Sequence, residues 1–391
     1  MNKMNTEKTV SLFFVGDFCS LPPANDIVVE PKLVSLIQEA DISVCNFETP
    51  VKPDGYSVVQ DTTFPNLYQS VQSIAFLEGL KFNLFSLANN HTFDCGKEGF
   101  FETVKHLKNS QSIGAGSFDE AFEVKVIEKK GMKIGFLALT YASYGVFDNT
   151  SDGTGLGCAY IHHPCVNHII QDSKKDVDLL IVLAHDGIEY TDAPTHLVRN
   201  RYHDLIDYGA DAVVACHPHC PQGWEEYKGH PVFYSLGNFF FNSKTDPTFK
   251  TPLPFWYNGL AVSLSLDCGT KKLTFEVFNT IVNGRTIALD NSKEVKKRND
   301  YLCGLLTDKA LFESYWDKTI LDLFKTKYLP FCEYTFNTPM RSRGVKGEIK
   351  ALLNALKPIE KRSYKRFFFI VRSDTEREIF LKGLKRTQSF N

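Results

Sequence analysis

The sequence has no run of 18 apolar residues, which is roughly the length that a membrane-spanning helix needs. Its longest apolar segments, such as residues 178–184, have the length of a β-strand. The segment before the first predicted strand, which starts at Thr9, is short and polar, so it has no room for the apolar core of a signal peptide. We therefore expect a cytoplasmic protein without a signal peptide or transmembrane segment.

The ten cysteines form no repeated C-x-x-C pattern, and the chain contains no internal repeat. Without a secretory signal, scattered cysteines are typical of reduced thiols. No nucleic-acid recognition motif is present, so nucleic acid is not an expected partner. At 391 residues and 43% hydrophobic content, the chain can bury one large core and carry an appendage.

Polar side chains follow five predicted strands at their carboxyl ends. Four of these strands cover residues 9–15, 42–45, 82–87 and 177–183, and the fifth ends just before His217. Single Asp or Asn residues at such places often cap turns, but capping does not explain why three of the five ends carry histidine. Strand ends meet along one edge of a sheet, and nitrogen and oxygen ligands there suit Zn, Mn or Fe. The pattern predicts a metal site.

The H-P-H sequence at residues 217–219 is the most informative of these ends. Side chains two residues apart on an extended segment point the same way, so His217 and His219 are expected to face one cleft. Pro218 fixes its own φ and favours an extended conformation at His217. We therefore expect an extended backbone across this segment.

Six motifs follow one another in a distinctive order between residues 10 and 278: G-D, N-F-E, N-N-H-x-x-D-x-G, H-D-G-x-E-Y, H-P-H and Y-S-L-G-N-F. This order resembles the CapA family of capsule synthesis proteins, within the calcineurin-like metallophosphatase superfamily. The resemblance implies an α/β fold, a four-layer α/β/β/α sandwich over residues 9–286. Residues 287–391 are expected to form a mainly helical, basic extension.

The resemblance also implies roles for individual residues. His91 corresponds to the proton donor or transition-state stabiliser, and Asp94 and Glu189 are candidates for orienting the metal-bound imidazoles, although each has a simpler interpretation as a turn or loop residue. The ligands of two divalent ions correspond to Asp17, Glu48, Asn90, His185, His217 and His219.

Two motifs depart from the superfamily pattern. The usual D-x-H is Asp17-Phe18-Cys19 here, and the usual G-D-x-x-D is the shorter N-F-E. One metal position therefore has one ligand fewer. A Cys19 thiolate could replace the missing imidazole, but a small buried packing residue is the favoured interpretation, as it is for Cys216 and Cys220.

The C-terminal part differs from the rest in charge. Residues 339–391 contain 14 Lys or Arg and 5 Asp or Glu, a surplus of 9 (14 − 5), whereas the whole chain has a net charge of −2. Residues 361–369, K-R-S-Y-K-R-F-F-F, interleave pairs of basic residues with aromatic ones, so the extension could contact an anionic polymer, a membrane surface or a partner protein. Instead of such a contact, the favoured interpretation is a helical cap whose phenylalanines pack on the preceding domain.

The function that these features predict is metal-dependent hydrolysis or transfer at a phosphoester, in the biosynthesis of a capsule or other surface polymer. The substrate would be a phosphorylated small molecule or polymer, and polymer-synthesis proteins would be partners. Two alternatives remain open: a non-catalytic component of a polymer synthase, and an amide-bond hydrolase or ligase acting on a peptide-linked polymer.

Overall fold

The computed structural model describes residues 8–20, 26–56, 67–149, 151–241, 255–328 and 372–388. The chain separates into two compact units, Met1–Thr307 and Asp308–Asn391. The domain boundary between residues 286 and 287 stays a prediction. Within the described residues, no helix combines the length and the apolar character that crossing a bilayer requires.

The strands are short to medium in length. In chain order they are β1 (Thr9–Cys19), β2 (Val28–Val29), β3 (Ile42–Phe47), β4 (Leu84–Ser86), β5 (Gln111–Ile113), β6 (Ala115–Gly116), β7 (Lys125–Lys129), β8 (Met132–Thr140), β9 (Val146–Phe147), β10 (Gly157–Ala159), β11 (Leu179–His185), β12 (Ala212–Cys216), β13 (Trp224–Tyr227), β14 (His230–Phe233), β15 (Asn238–Phe241), β16 (Asn258–Asp267), β17 (Leu273–Asn283) and β18 (Thr286–Leu289).

The helices alternate with the strands and then dominate the C-terminal part. In chain order they are α1 (Pro31–Glu39), α2 (Gln72–Gly79), α3 (Gly96–His106), α4 (Phe118–Ala121), α5 (Cys165–Ser173), α6 (His196–Asp207), α7 (Lys293–Thr307), α8 (Lys309–Leu323) and α9 (Asp374–Gln388).

Two large sheets form the first unit. One has the order β2-β18-β17-β16-β1-β3-β4-β5, with β15 also pairing with β1, and the other has the order β13-β14-β12-β11-β8-β7. Strands β1, β3, β4 and β5 are parallel to one another, as are β8, β11, β12 and β14. Each sheet therefore has one edge where the carboxyl ends of its parallel strands meet. A small third sheet joins β6, β10 and β9.

The two sheets pack face to face around one core. Alternate residues of β1, such as Leu12 and Phe14, and of β11, such as Ile181 and Leu183, belong to the same buried apolar cluster. This alternation is expected when each strand turns one side towards the partner sheet.

Helices cover the opposite faces of both sheets. The hydroxyl of Ser43, which alternates with the core residues of β3, donates a hydrogen bond to the carbonyl of Ile37 in α1 at 2.8 Å. Helices α5 and α6 connect parallel strands of the six-stranded sheet and bury apolar residues such as Ile170 and Leu205. The mixed α/β fold with helix, sheet, sheet and helix layers confirms the predicted fold class.

The second unit is helical in its described part. Helix α8 continues into a π-helical turn at Phe324–Tyr328, and the buried Glu376 of α9 accepts hydrogen bonds from Lys327 and Tyr328. Part of the predicted basic extension, residues 329–371 and 389–391, lies outside the described residues, and this part includes the aromatic segment at residues 361–369.

Candidate metal centre

The predicted site residues lie at strand ends that come from both sheets. Asp17 lies near the end of β1, Glu48 directly follows β3, and Asn90 lies in the turn after β4. His185 is the last residue of β11, and His217 and His219 follow β12. The sequence predicted one sheet edge, whereas the structure brings two carboxyl edges together.

Gly16 allows Asp17 to enter the site. A Cβ atom at residue 16 would lie 1.8 Å from the carbonyl oxygen of Gly237, which is far inside van der Waals contact. The close approach lets the Asp17 amide donate a hydrogen bond to the same oxygen at 2.9 Å. The pairing of β1 with β3 shifts register between Val15 and Asp17, and this irregularity redirects the Asp17 side chain.

Asp17, Glu48 and His185 form the centre of the cluster. Each offers a ligand atom, and these atoms all lie within 4.8 Å of one another. His185 Nδ1 is 3.8 Å from Asp17 Oδ1, and His185 Nε2 is 3.6 Å from Glu48 Oε1. All three residues are buried, so their charges are poorly screened by water.

The electrostatics of this cluster favour a bound cation. Burial, followed by the charge of Asp17, raises the pKa of Glu48 well above its ordinary value, and burial lowers the pKa of His185 well below its own. Among the described residues, no Lys or Arg forms an ion pair with Asp17 or Glu48, and Glu48 Oε1 accepts no hydrogen bond. Carboxylates and neutral imidazoles are donors that suit Zn, Mn and Fe, so the residues fit a divalent ion.

His217 and His219 reach the cluster by an unexpected route. Their φ angles are +103° and +56°, so the predicted extended backbone across the H-P-H segment is wrong. A positive φ is strained for histidine, at a cost on the order of 1–3 kcal/mol per residue. The restriction that Pro218 imposes does not hold His217 extended, because the surrounding contacts impose the turn. One of them is the hydrogen bond that the His217 amide donates to Asp17 Oδ2 at 3.3 Å.

The two imidazoles nevertheless lie beside the other site residues. The ring centroids of His217 and His185 are 4.8 Å apart. His219 Nδ1 lies 3.3 Å from Asp17 Oδ2 and 3.0 Å from Asn238 Oδ1. Burial opposes protonation of His219, but the hydrogen bond and charge of Asp17 outweigh it and raise the pKa of the imidazole.

Asn90 and His91 occupy adjacent parts of the same turn. Asn90 Oδ1 is 2.8 Å from His185 Nε2, so the structure brings Asn90 to the cluster. His91 Nδ1 is 2.6 Å from the buried Asp94 Oδ2, which also accepts a hydrogen bond from the Leu67 amide. Asp94 therefore fixes the orientation of the His91 ring. The assignment of His91 as catalytic and of the six residues as ligands stays a prediction.

The cysteines of this region are packing residues. The Cys19 thiol lies 3.4 Å from the Thr49 hydroxyl inside an apolar cluster, and burial raises its pKa, so it is a neutral thiol. Burial likewise raises the pKa of Cys216, and that of Cys220 to about 12. In the absence of a bound ion, none of these thiols ionises at neutral pH.

Three asparagines near the site were not identified from the sequence. Asn46 contacts both carboxylates, Asn89 contacts Asn46, and Asn238 contacts His219. Asn46 and Asn238 belong to the motifs N-F-E and L-G-N-F, but a single Asn is more often a turn residue. The charge of Glu189 also reaches the centre, because it contributes to the raised pKa values of Glu48 and His219.

Comparisons with known proteins add the following matches. Residues 11–243 match the family model described as bacterial capsule synthesis protein PGA_cap. The PGA biosynthesis protein CapA of Bacillus subtilis is 29% identical over 253 residues, which span 61% of this chain and 65% of that relative. The capsule biosynthesis protein CapA of Bacillus anthracis is 28% identical over 294 residues, or 71% of each chain.

Among solved structures, a protein described as a novel phosphatase from Mycoplasma pneumoniae is 14% identical, with a TM-score of 0.38. The match covers 74% of this chain and 96% of that one.

Proposed function

Since the chain belongs to the bacterial capsule synthesis protein family, as its motifs predict, we propose that it is a metal-dependent phosphoester hydrolase or transferase. It would act in the biosynthesis of a capsule or other surface polymer, either poly-γ-glutamate or a polysaccharide. The observation that carries the proposal is the buried cluster of Asp17, Glu48 and His185, in which no Lys or Arg of the described residues forms an ion pair with either carboxylate.

Six residues would bind the metal ions in such a reaction. Asp17, Glu48 and His185 would hold a divalent ion, with Asn90, His217 and His219 completing the ligands of a pair of ions. Such ions activate a water molecule and neutralise charge on a phosphoryl group. The burial of the cluster excludes bulk water and strengthens every charge interaction inside it.

His91 supplies the proton that a leaving oxygen needs. Asp94 accepts the hydrogen bond of His91 Nδ1 at 2.6 Å, which fixes the orientation of the ring. The other ring nitrogen, Nε2, would carry the proton that is transferred.

The test is a comparison of metal content and turnover. Protein stripped of metal and reloaded with Mn²⁺ should hydrolyse p-nitrophenyl phosphate or bis-p-nitrophenyl phosphate. His91→Asn should lower turnover about 10²- to 10⁴-fold, since general acid catalysis is commonly worth that much, without lowering the metal content. His106→Asn is the matched control, because His106 pairs with Glu102 on α3, away from the cluster. Loss of metal in His91→Asn would contradict the assigned role.

A second candidate function is a non-catalytic component of a polymer synthase. The observation in its favour is Cys19, which stands where the superfamily has a ligand histidine and is a neutral, buried thiol. One equivalent of bound metal and no turnover with either phosphoester would favour this alternative.

A further inference from the structure

Asn46 places its amide nitrogen at the centre of the metal cluster. Asn46 Nδ2 is 2.7 Å from Asp17 Oδ1, 2.5 Å from Glu48 Oε2 and 3.2 Å from His185 Nδ1. An amide nitrogen has two hydrogens, so it serves three acceptors with two donors. Three lone pairs that converge on one point are the arrangement that a cation satisfies better than an amide.

The orientation of the Asn46 amide is fixed by its other end. Asn89 Nδ2 donates to Asn46 Oδ1 at 3.3 Å and to the Phe47 carbonyl at 2.9 Å. Asn89 is itself held, because its Oδ1 accepts from the His91 amide and the Thr92 hydroxyl. Rotating Asn46 by 180° would set its NH₂ against the NH₂ of Asn89 and its oxygen against two carboxylates.

The same contacts assign the tautomer of His185. Nδ1 faces the Asn46 donor, so it is the acceptor, and Nε2 faces Asn90 Oδ1 at 2.8 Å, so it carries the hydrogen. The lone pair of His185 therefore points to the same place as Asp17 Oδ1 and Glu48 Oε2. In this arrangement Asn90 orients the imidazole through Nε2, which is the usual partner contact of a metal-binding histidine.

We propose that Asn46 competes with the metal ion for Asp17, Glu48 and His185, and so sets the metal affinity of the centre. Its amide stabilises the metal-free protein by donating to two buried carboxylates, and it must give way when an ion binds them. The inference rests on the proposed metal site, but it concerns affinity and not turnover.

The experiment measures Mn²⁺ binding to the full chain by isothermal titration calorimetry after removal of metal. Asn46→Ala should bind Mn²⁺ about tenfold more tightly or better, because only the metal-free protein loses hydrogen bonds to charged groups. The metal-free variant should also melt at a lower temperature than the metal-free wild type, and added Mn²⁺ should raise its melting temperature by more.

Two further variants make the comparison specific. Asn46→Ser keeps one donor and should give an intermediate affinity, so it provides the test if Asn46→Ala does not fold. Asn83→Ala is the matched control, because the Asn83 side chain accepts from the Ser43 amide and donates to the Asp41 carbonyl and contacts none of the predicted ligands. It should not tighten Mn²⁺ binding.

Equal or weaker Mn²⁺ binding by the folded Asn46 variants would overturn the proposal and make Asn46 a residue that supports the bound state. The absence of Mn²⁺ binding in every form would overturn both this proposal and the metal site. Tighter binding by the variants without phosphoester hydrolysis by the wild type would support the proposal and contradict only the proposed enzymatic function.

Discussion

At the scale of single residues, the site holds two carboxylates, Asp17 and Glu48, close together and away from water. Burial, and after it the nearby charge of Asp17, raises the pKa of Glu48, so protonation of this carboxylate is favoured. Asn46 and the imidazoles reduce the repulsion between the two carboxylates, but none of them carries a permanent positive charge. A divalent ion bound between the two carboxylates would offset this repulsion.

His217 tests the ligand assignment at this scale. His217→Ala should lower the bound Mn²⁺ of the purified protein while leaving its circular dichroism spectrum unchanged, because the side chain lies beyond the end of β12. His230→Ala is the control, since His230 begins β14 and contacts the Asp211 carbonyl. Metal content equal to that of the wild type, measured by plasma mass spectrometry, would exclude His217 from the ligands.

The sequence predicted which residues gather at the site but not how they do so. Histidines and carboxylates at the ends of predicted strands can be recognised in the sequence. All six predicted ligands are buried in the structure. The positive φ angles at His217 and His219 were not predictable, because they are imposed by contacts with residues distant in sequence, such as Asp17. Asn46 was missed because its role depends on three partners that only the fold brings together.

At the scale of structural elements, the close crossing of β1 with the turn before β15 positions Asp17. Gly16→Ala should destabilise the protein by several kcal/mol or prevent folding, because the new Cβ meets backbone and not a movable side chain. Gly79→Ala is the control: nothing lies within 4 Å of its Cβ, so its stability should change by less than about 1 kcal/mol. Urea denaturation measures both, and equal stability of the two variants would contradict the packing argument.

A partly buried ion-pair network joins α6, β13 and the end of α7. Glu225 accepts hydrogen bonds from Arg199, His203 and Tyr234, and Arg199 also donates to the Leu306 carbonyl. Burial alone would raise the pKa of Glu225, but the three hydrogen-bonding partners lower it from 4.5 to about 2.

This network predicts a specific acid sensitivity. Because the pKa of Glu225 is depressed in the folded protein, its stabilising contribution is complete above about pH 4.5 and is lost as the pH falls towards 2. Glu225→Gln should therefore be less stable than the wild type at pH 7, and the difference should shrink between pH 4.5 and 2. Chemical denaturation across this range is the measurement, and a constant difference would contradict the pKa assignment.

Regular elements were easier to predict than short ones. The sequence alone predicts helices at residues 32–40 and 195–208, the second of which is followed by Gly209 as a stop signal, and α1 and α6 lie within two residues of these bounds. Helices α2 and α5 were missed, and of the two only α2 has a weak apolar periodicity that explains the omission. Two- and three-residue strands such as β9 and β10 owe their existence to tertiary pairing and leave no pattern in the sequence.

At the scale of the whole molecule, the predicted ligands all precede residue 287, whereas residues 339–391 carry a surplus of positive charge. We propose that the basic segment at residues 361–369 contacts an anionic polymer, a membrane surface or a polymer-synthesis protein. Replacing Lys361, Arg362, Lys365 and Arg366 by Gln should weaken binding to vesicles with anionic lipids, and wild-type binding should fade as salt shortens the Debye length below about 10 Å.

The same fourfold variant should hydrolyse small phosphoesters at the wild-type rate, because it changes none of the predicted ligands. Unchanged vesicle binding, measured by co-sedimentation, would favour the alternative in which the extension packs on the preceding domain.

The cytoplasmic location also stays a proposal, and fractionation of cells that express the protein would test it.

The most direct test of the metal centre is element-specific anomalous X-ray diffraction from crystals grown with Mn²⁺. We predict an anomalous peak within bonding distance of Asp17, Glu48 and His185, with Asn46 turned away from the carboxylates. A well-ordered structure with no peak at this cluster, and with Asn46 still bonded to both carboxylates at saturating Mn²⁺, would contradict the metal assignment.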